Sequence, residues 1–314
     1  MTPTAPPPAR TASRVCSPAY VAGLVSAGRL RPRRRLGQTF LVDENVLRRV
    51  VAAAGPLEGR AVVEIGAGLG ALTLALAAAG AARVLAVEKD LGLATLLGEN
   101  TAGWENVEVV LGDALDLDLA SLAGGDPLVL GNLPYSITTP LLLKLLRPPV
   151  FWPRAVVMVQ AEVAERITAR PGTKEYGTLS LAVSRVARPE LAFRVGRNSF
   201  YPRPEVDSAV LTLARREVPA GGLDPAGLDR LEVVIRAAFG HRRKRLSNAL
   251  AAGLGLDRET VSRAVAGAGL DPGRRGETLD LEEFVTLERA LRGLLGAAGR
   301  EPLPSTDSPG YNRS

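Results

Sequence analysis

Four consecutive residues, Asn132-Leu133-Pro134-Tyr135, put an amide, a fixed turn and an aromatic face directly after the apolar run Leu128-Val129-Leu130 and Gly131. Pro134 cannot donate to a sheet ladder and biases Leu133 away from helix, so the stretch predicts a buried strand that stops in a rigid turn. In open α/β sheets, ligands bind at the carboxyl ends of the strands. The grouping suits the grip of an exocyclic amine on a flat base. Asn132 Oδ1 and the backbone carbonyl of Leu133 or Pro134 would accept the two N–H bonds, while Tyr135 stacks on the ring. A loop Asn beside a half-buried Tyr is the plain alternative for these four residues alone, so the rest of the chain decides.

Gly66-Ala67-Gly68-Leu69-Gly70 follows an apolar stretch over residues 61–65 and precedes an apolar helix predicted over 71–79. Glycines at such a junction let backbone approach a ligand closely. A dinucleotide fingerprint ends in Gly or Ala, and Ala71 fills that place; Glu88, ending the strand from residue 83, also suits a nicotinamide cofactor's ribose. Further acids separate the readings. Glu64 precedes the glycine loop, and Asp113 follows Gly112 after a strand predicted over 106–110. Strand-end carboxylates at Glu88 and Asp113, together with the Asn132 turn, lay out a site for S-adenosylmethionine (SAM) beside an amine acceptor. Glu88 would hold the ribose diol and Asp113 the adenine amine.

The elements that must position these groups alternate along the chain. Strands are predicted over 61–65, 83–87, 106–110, 128–130 and 155–159, with helices over 71–79, 138–146 and 162–169, which implies a parallel, doubly wound sheet. Residues 179–186, 191–195 and 208–213 are expected to complete it. Upstream, 18–27 reads as a short helix, and Asp43 as the N-cap of a helix carrying Val46, Leu47, Val50 and Val51 on one face. Residues 1–16 read as disordered. Pro219-Ala220-Gly221-Gly222 breaks the pattern, and 224–295 reads as helical. The expected fold class is therefore α/β: a Rossmann-like, mostly parallel sheet of the SAM-dependent methyltransferase kind with a small all-α C-terminal domain. Its expected divisions are a disordered or partly helical extension (1–28), the methyltransferase domain (29–216), a helical RNA-binding domain (217–298) and a disordered tail (299–314).

With 46% hydrophobic residues in 314, the chain has ample material for a core. No apolar stretch is long enough to span a membrane, and residues 1–14 lack the apolar region of a signal peptide. Cys16 and His241 are the only residues of their types. A disulfide framework, a cysteine metal site and a histidine-based zinc site are thus excluded, no metal is expected, and a reducing cytoplasmic setting is. The net charge is +6, but only four of 39 basic residues are lysines, a bias that genome composition also explains. Clustering says more. One cluster holds Arg29, Arg31, Arg33, Arg34 and Arg35; the other, expected on the first helix after the break, holds Arg242, Arg243, Lys244 and Arg245. Two such runs flanking one site favour nucleic acid over solvated helix faces, with Arg33, Arg34, Arg35, Arg242, Arg243 and Lys244 as the RNA contacts.

Several longer motifs carry a family resemblance: Arg35-Leu36-Gly37-Gln38-Thr39-Phe40-Leu41, Glu64-Ile65-Gly66-Ala67-Gly68-Leu69-Gly70, Asn132-Leu133-Pro134-Tyr135, Tyr176-Gly177-Thr178-Leu179-Ser180, Phe200-Tyr201-Pro202-Arg203-Pro204-Glu205-Val206-Asp207-Ser208 and Phe239-Gly240-His241-Arg242-Arg243-Lys244. Through them the chain resembles the bacterial KsgA/RsmA rRNA adenine dimethyltransferases, from about residue 29 to about 295. The resemblance implies SAM-dependent dimethylation of N6 on two adjacent adenosines in the 3′-terminal hairpin of 16S rRNA, within the assembling small ribosomal subunit; a monomer is expected, though nothing in the sequence fixes the oligomeric state. It also implies SAM contacts at Thr39, Leu41, Gly66, Glu88, Asp113 and Asn132. The family usually has Asn before Phe-Leu, and here a shorter hydroxyl stands there as Thr39. The expected catalytic group is Asn132, Pro134, Tyr135 and Phe200, with Tyr135 and Phe200 sandwiching a base drawn from its stack. No strong base is needed, because the attacking amine carries its own lone pair. The alternatives are an Erm-type 23S rRNA dimethylase, which the Tyr176-Gly177 and Phe200 segments match less well, and a non-catalytic RNA-binding assembly factor. An NAD oxidoreductase ranks third, since no proton-transfer group stands out.

Overall fold

The structure is a computed structural model, and it describes residues 11–33, 38–241 and 243–295. Helices α1 (Ala12–Val15) and α2 (Pro18–Ser26) open the described chain, capped by the hydroxyls of Thr11 and Ser17. Residues 11–16 are therefore ordered where disorder was expected. The reason is burial: Val15 joins Val21, Leu24, Leu30, Phe40, Leu69 and Leu93 in one apolar cluster. Strand β1 (Phe40–Leu41) leads to α3 (Glu44–Ala54), where Asp43 Oδ1 accepts the N–H groups of Asn45 and Val46 at 3.0 and 3.2 Å. The cap prediction holds.

The sheet then builds by alternation: β2 (Ala61–Ile65), α4 (Ala71–Ala78), β3 (Arg83–Glu88), α5 (Leu91–Thr101), β4 (Val107–Leu111), α6 (Leu119–Ala123), β5 (Leu128–Asn132), α7 (Thr138–Leu145), β6 (Arg154–Gln160) and α8 (Ala161–Thr168). After α9 (Thr178–Ser184) come β7 (Ala187–Val195), β8 (Phe200–Tyr201) and β9 (Ser208–Arg215). Seven strands lie in the order β4-β3-β2-β5-β6-β9-β7, and β1 pairs with β8 in a separate ribbon. The pairs among β2 to β6 are parallel, and β9 runs antiparallel to β6. Parallel strands covered on both faces read as continuous apolar runs, which is why β2, β3, β5 and β6 were legible. Register aligns their ends: Ile65 faces Val87, Glu88 faces Leu111, and Glu64 faces Leu130. Gly66, Lys89, Gly112 and Asn132 consequently emerge at one edge. A side chain at Gly131 would bring Cβ within 2.5 Å of the Ile65 carbonyl, so glycine is required for β5 to leave the sheet there.

The expected strand over 179–186 is instead the helix α9. Gly177 caps it and its N–H donates to Ser180 Oγ at 3.1 Å, while Leu179, Leu181 and Val183 are buried. A short apolar run does not separate strand from helix by periodicity.

The chain divides into two compact units. One takes in the described residues to Leu145, with Val150–Ala164 and Glu190–Ala214; the other takes Leu146–Pro149, Glu165–Pro189 and the described residues from Arg215 on. The second unit contains α10 (Pro225–Phe239), α11 (Leu246–Leu254), α12 (Arg258–Gly267) and α13 (Leu281–Leu295). Phe239 anchors its core, stacked 6.1 Å from Phe284 and edge-on to Tyr176 at 6.0 Å. Two carboxylates are clasped there by paired arginines: Glu232 by Arg185 and Arg236, and Glu288 by Arg230 and Arg292.

Candidate active site

The carboxyl ends of β2, β3, β4 and β5, together with β1 and α1, wall a cavity of about 400 Å³. On one side stands the glycine loop. Gly66 has φ +73°, and a Cβ there would meet the Asn132 carbonyl at 3.4 Å and Pro134 Cδ at 3.6 Å, so this glycine also sets the loop's approach to the turn. Glu88 is buried and both its oxygens are fixed by backbone: Oε2 accepts Gly68 N–H and Oε1 accepts Asp90 N–H, each at 2.9 Å. Burial pushes its carboxyl above the ordinary range, and the backbone N–H bonds oppose that push. A carboxylate offers about four acceptor sites, so capacity remains for a ribose hydroxyl beside these backbone bonds.

Glu64, 2% exposed, lies below with Oε2 2.5 Å from Thr73 Oγ1. Burial pushes its pKa up to about 8; the Thr73 bond works against the shift and the Glu88 charge adds to it. Asp113 is different. Burial works to raise its carboxyl, but Lys89, ion-paired to Oδ2, and Leu115 N–H, 2.9 Å from Oδ1, outweigh it and hold the group below its ordinary value.

The opposite side is the turn after β5. Leu133 is buried and its N–H donates to the Met158 carbonyl at 3.0 Å, which fixes the turn against β6. The Pro134 carbonyl accepts Ile137 N–H at 3.1 Å and Thr138 Oγ1 at 3.0 Å. Both its lone pairs are used. Among the described residues, neither the Asn132 side-chain amide nor the Leu133 carbonyl has a hydrogen-bond partner. Of the two carbonyls that the sequence left open as a second acceptor, that of Leu133 is thus the one without a partner among the described residues. Tyr135 lies on the wall with its hydroxyl 2.9 Å from the buried Ser208 Oγ.

Thr39, Leu41, Gly66, Glu88, Asp113, Asn132, Pro134 and Tyr135 thus all face one cavity. Phe200 does not. Expected to stack on the base, it is 3% exposed in the core with Val46, Val50 and Val210, behind Leu41, its partner across the β1–β8 pair. Of the two rings expected to sandwich the base, Tyr135 alone lines the cavity. Arg33 lies on the wall, its Nη1 3.1 Å from Asp90 Oδ2. Arg243 and Lys244 are exposed in the other unit, in the turn after α10 rather than on it, because that helix ends at Phe239. Arg34, Arg35 and Arg242 lie outside the described residues.

Among the wall residues that the sequence did not point to are Lys89, directly after Glu88, and Val15, which reaches the wall through α1 packing that no local motif announces. Cys16, next to it, donates to the Leu41 carbonyl at 3.4 Å; burial, then Asp43 and Glu44, push the thiol up to about 12, which works against thiolate formation. Among the described residues, no group of three or more His, Cys, Asp or Glu side chains could hold a metal ion, and no helix is long and apolar enough to cross a membrane.

Residues 29–286 match the family described as ribosomal RNA adenine dimethylase. The "Ribosomal RNA small subunit methyltransferase A" of Pelotomaculum thermopropionicum is 49% identical over 285 residues, covering 87% of this chain and 96% of the relative. Its namesake from Moorella thermoacetica is 46% identical, over 88% of this chain and 99% of that one. Among solved structures, a dimethyladenosine transferase from Plasmodium falciparum superposes with a TM-score of 0.68 at 26% identity, covering 80% of this chain and 96% of that one. The 23S rRNA methyltransferase ErmE gives 0.63 at 29% identity, over 81% and 99%.

Proposed function

The chain belongs to the ribosomal RNA adenine dimethylase family, and from that premise we propose that it dimethylates N6 of two adjacent adenosines in the 3′-terminal hairpin of 16S rRNA. One observation carries the assignment of roles: two oxygens without partners among the described residues, Asn132 Oδ1 and the Leu133 carbonyl, belong to residues that line the same cavity as the strand-end acids Glu88 and Asp113. When bound, SAM supplies the methyl group in electrophilic form, as a sulfonium. Glu88 holds the ribose diol, Asp113 the adenine amine, and Thr39, Leu41 and Gly66 the remainder of the cofactor. Asn132 Oδ1 and the Leu133 carbonyl accept hydrogen bonds from the N6–H groups of the target adenine, two before the first transfer and one before the second, which draws the nitrogen lone pair out of conjugation and toward attack. Both oxygens then stabilise the positive charge that develops on nitrogen, which is discharged when N6 releases one proton to solvent after each transfer. Tyr135, oriented by Ser208, offers its face to the base, and the Pro134 carbonyl, already saturated, holds the turn rigid.

In this reading residues 29–216 carry the chemistry and 217–298 grip the RNA backbone, with Arg243 and Lys244 among the phosphate contacts, in a monomer acting on the assembling small subunit in the cytoplasm. An Erm-type activity on 23S rRNA is the second reading, favoured by the likeness to ErmE. The 49% and 46% identities to small-subunit enzymes weigh against it. The test is incubation with labelled SAM and under-methylated small subunits beside separate 23S rRNA, followed by mapping of the modified bases. Label on two adjacent adenosines of 16S rRNA is expected; label confined to 23S rRNA, or none, overturns the assignment.

A further inference from the structure

Asp113 is not a lone acceptor: Oδ1 takes Leu115 N–H and Oδ2 is ion-paired with Lys89 Nζ. Lys89 follows Glu88 at the end of β3 and lies on the cavity wall, so its stem spans from there to the loop after β4. Its side chain is 71% exposed against 15% for Asp113. An ion pair so open to solvent adds little to folding, so stability does not account for a cation held on this carboxylate. An ammonium has three donors, and Asp113 uses one.

Resting on the reading that Asp113 meets the 6-position of the cofactor's purine, we propose that Lys89 is a specificity-determining residue, forming with Asp113 a donor–acceptor pair that takes either a 6-amino or a 6-oxo purine. A carboxylate alone accepts from a 6-amino group and repels a 6-oxo oxygen, which would leave two acceptors facing each other. Lys89 removes that penalty. The 6-oxo oxygen of hypoxanthine accepts from Nζ, while its N1–H donates to Asp113. With adenine the 6-amino group donates to Asp113, and Nζ stays on the second lone pair of the same carboxylate. The pocket therefore admits inosyl as well as adenosyl thioethers.

Calorimetry on the full chain with S-adenosylhomocysteine and S-inosylhomocysteine tests this. The wild type is expected to bind the two within about tenfold of each other; a wider preference for the adenosyl ligand overturns the proposal. Lys89→Met keeps an unbranched stem and loses the ammonium. It should widen the ratio by about tenfold or more, through weaker inosyl binding, the size of one charge-assisted hydrogen bond. An unchanged ratio makes Lys89 a bystander and sinks the idea. Asp113→Asn separates the two layers of the argument. If Lys89→Met changes nothing while Asp113→Asn weakens adenosyl binding about tenfold, the assignment of Asp113 stands and that of Lys89 falls. If Asp113→Asn leaves both ligands unaffected, Asp113 does not meet the base and both fall together.

Discussion

On the glycine-loop side of the cavity, the polar groups are bonded into the protein: Glu88 by two backbone N–H groups, Asp113 by Leu115 and Lys89, Glu64 by Thr73. Across the cavity, at the end of β5 and the turn after it, the Asn132 amide and the Leu133 carbonyl have no partners among the described residues, while the Pro134 carbonyl beside them is saturated. The difference fits the roles proposed for the two sides. A cofactor pocket gains from acids fixed before binding, since less order is lost when the ligand arrives. A site for a developing cation needs oxygens aimed into the cavity and not already used, and a rigid proline turn supplies the aim. Substitutions on the first side should therefore change affinity or stability, and those on the second should change turnover.

The largest effect is expected at Asn132. Asn132→Ala should lower turnover on the order of 10²–10³ with RNA binding retained, as for the loss of one preorganised polar contact. Asn132→Asp, which still accepts from N6, should keep more activity than the Ala variant. Near wild-type rates for both would make the turn purely structural and erase the contrast.

Glu64 probes the other side through stability. Its carboxyl holds a proton up to pH about 8 in the folded state, far above its value in an unfolded chain. The folded state binds that proton more tightly, so the stability it contributes is complete below about pH 4.5 and lost as pH rises toward 8. Glu64→Gln should remove this slope: similar to the parent near pH 4, and more stable by a few kcal/mol near pH 9, since each tenfold difference in proton affinity between folded and unfolded chain is worth about 1.4 kcal/mol. Denaturant melts across that range are the measurement. An unaltered pH profile would mean Glu64 is ionised in the fold.

Glu88→Ala should weaken SAM binding by at least about tenfold, the scale of one hydrogen bond to a charged group. Calorimetric affinity equal to wild type would remove Glu88 from the cofactor half. The smallest effect is expected from a pair of residues in neither half. Arg243→Ala with Lys244→Ala should flatten the salt dependence of RNA binding by about 0.7–0.9 per contact in log–log slope. SAM affinity should stay put. An unchanged slope would return this turn to an ordinary solvated surface.

Much of this layout could be read along the chain because it is local. Buried parallel strands announce themselves as apolar runs, Asp43 caps the helix that follows it, and Gly66, Glu88, Asp113 and Asn132 each sit directly after or at the end of such a run. Alternation of strand and helix then puts those ends on one edge, whatever the details of packing. What lay beyond the sequence depends on burial and pairing in the folded neighbourhood. Whether residues 178–184 form strand or helix was settled by a glycine cap and burial on all sides. Phe200 was taken out of the cavity by its place behind Leu41, across the β1–β8 pair. Val15 entered the wall only because α1 packs against the core through a cluster that no spacing encodes. Of two adjacent carbonyls, that of Pro134 is occupied by Ile137 and Thr138, and that of Leu133 has no partner among the described residues. Residue types and strand ends determine which chemistry is possible here; hydrogen-bond saturation, a property of the folded neighbourhood alone, decides which atoms remain free to perform it.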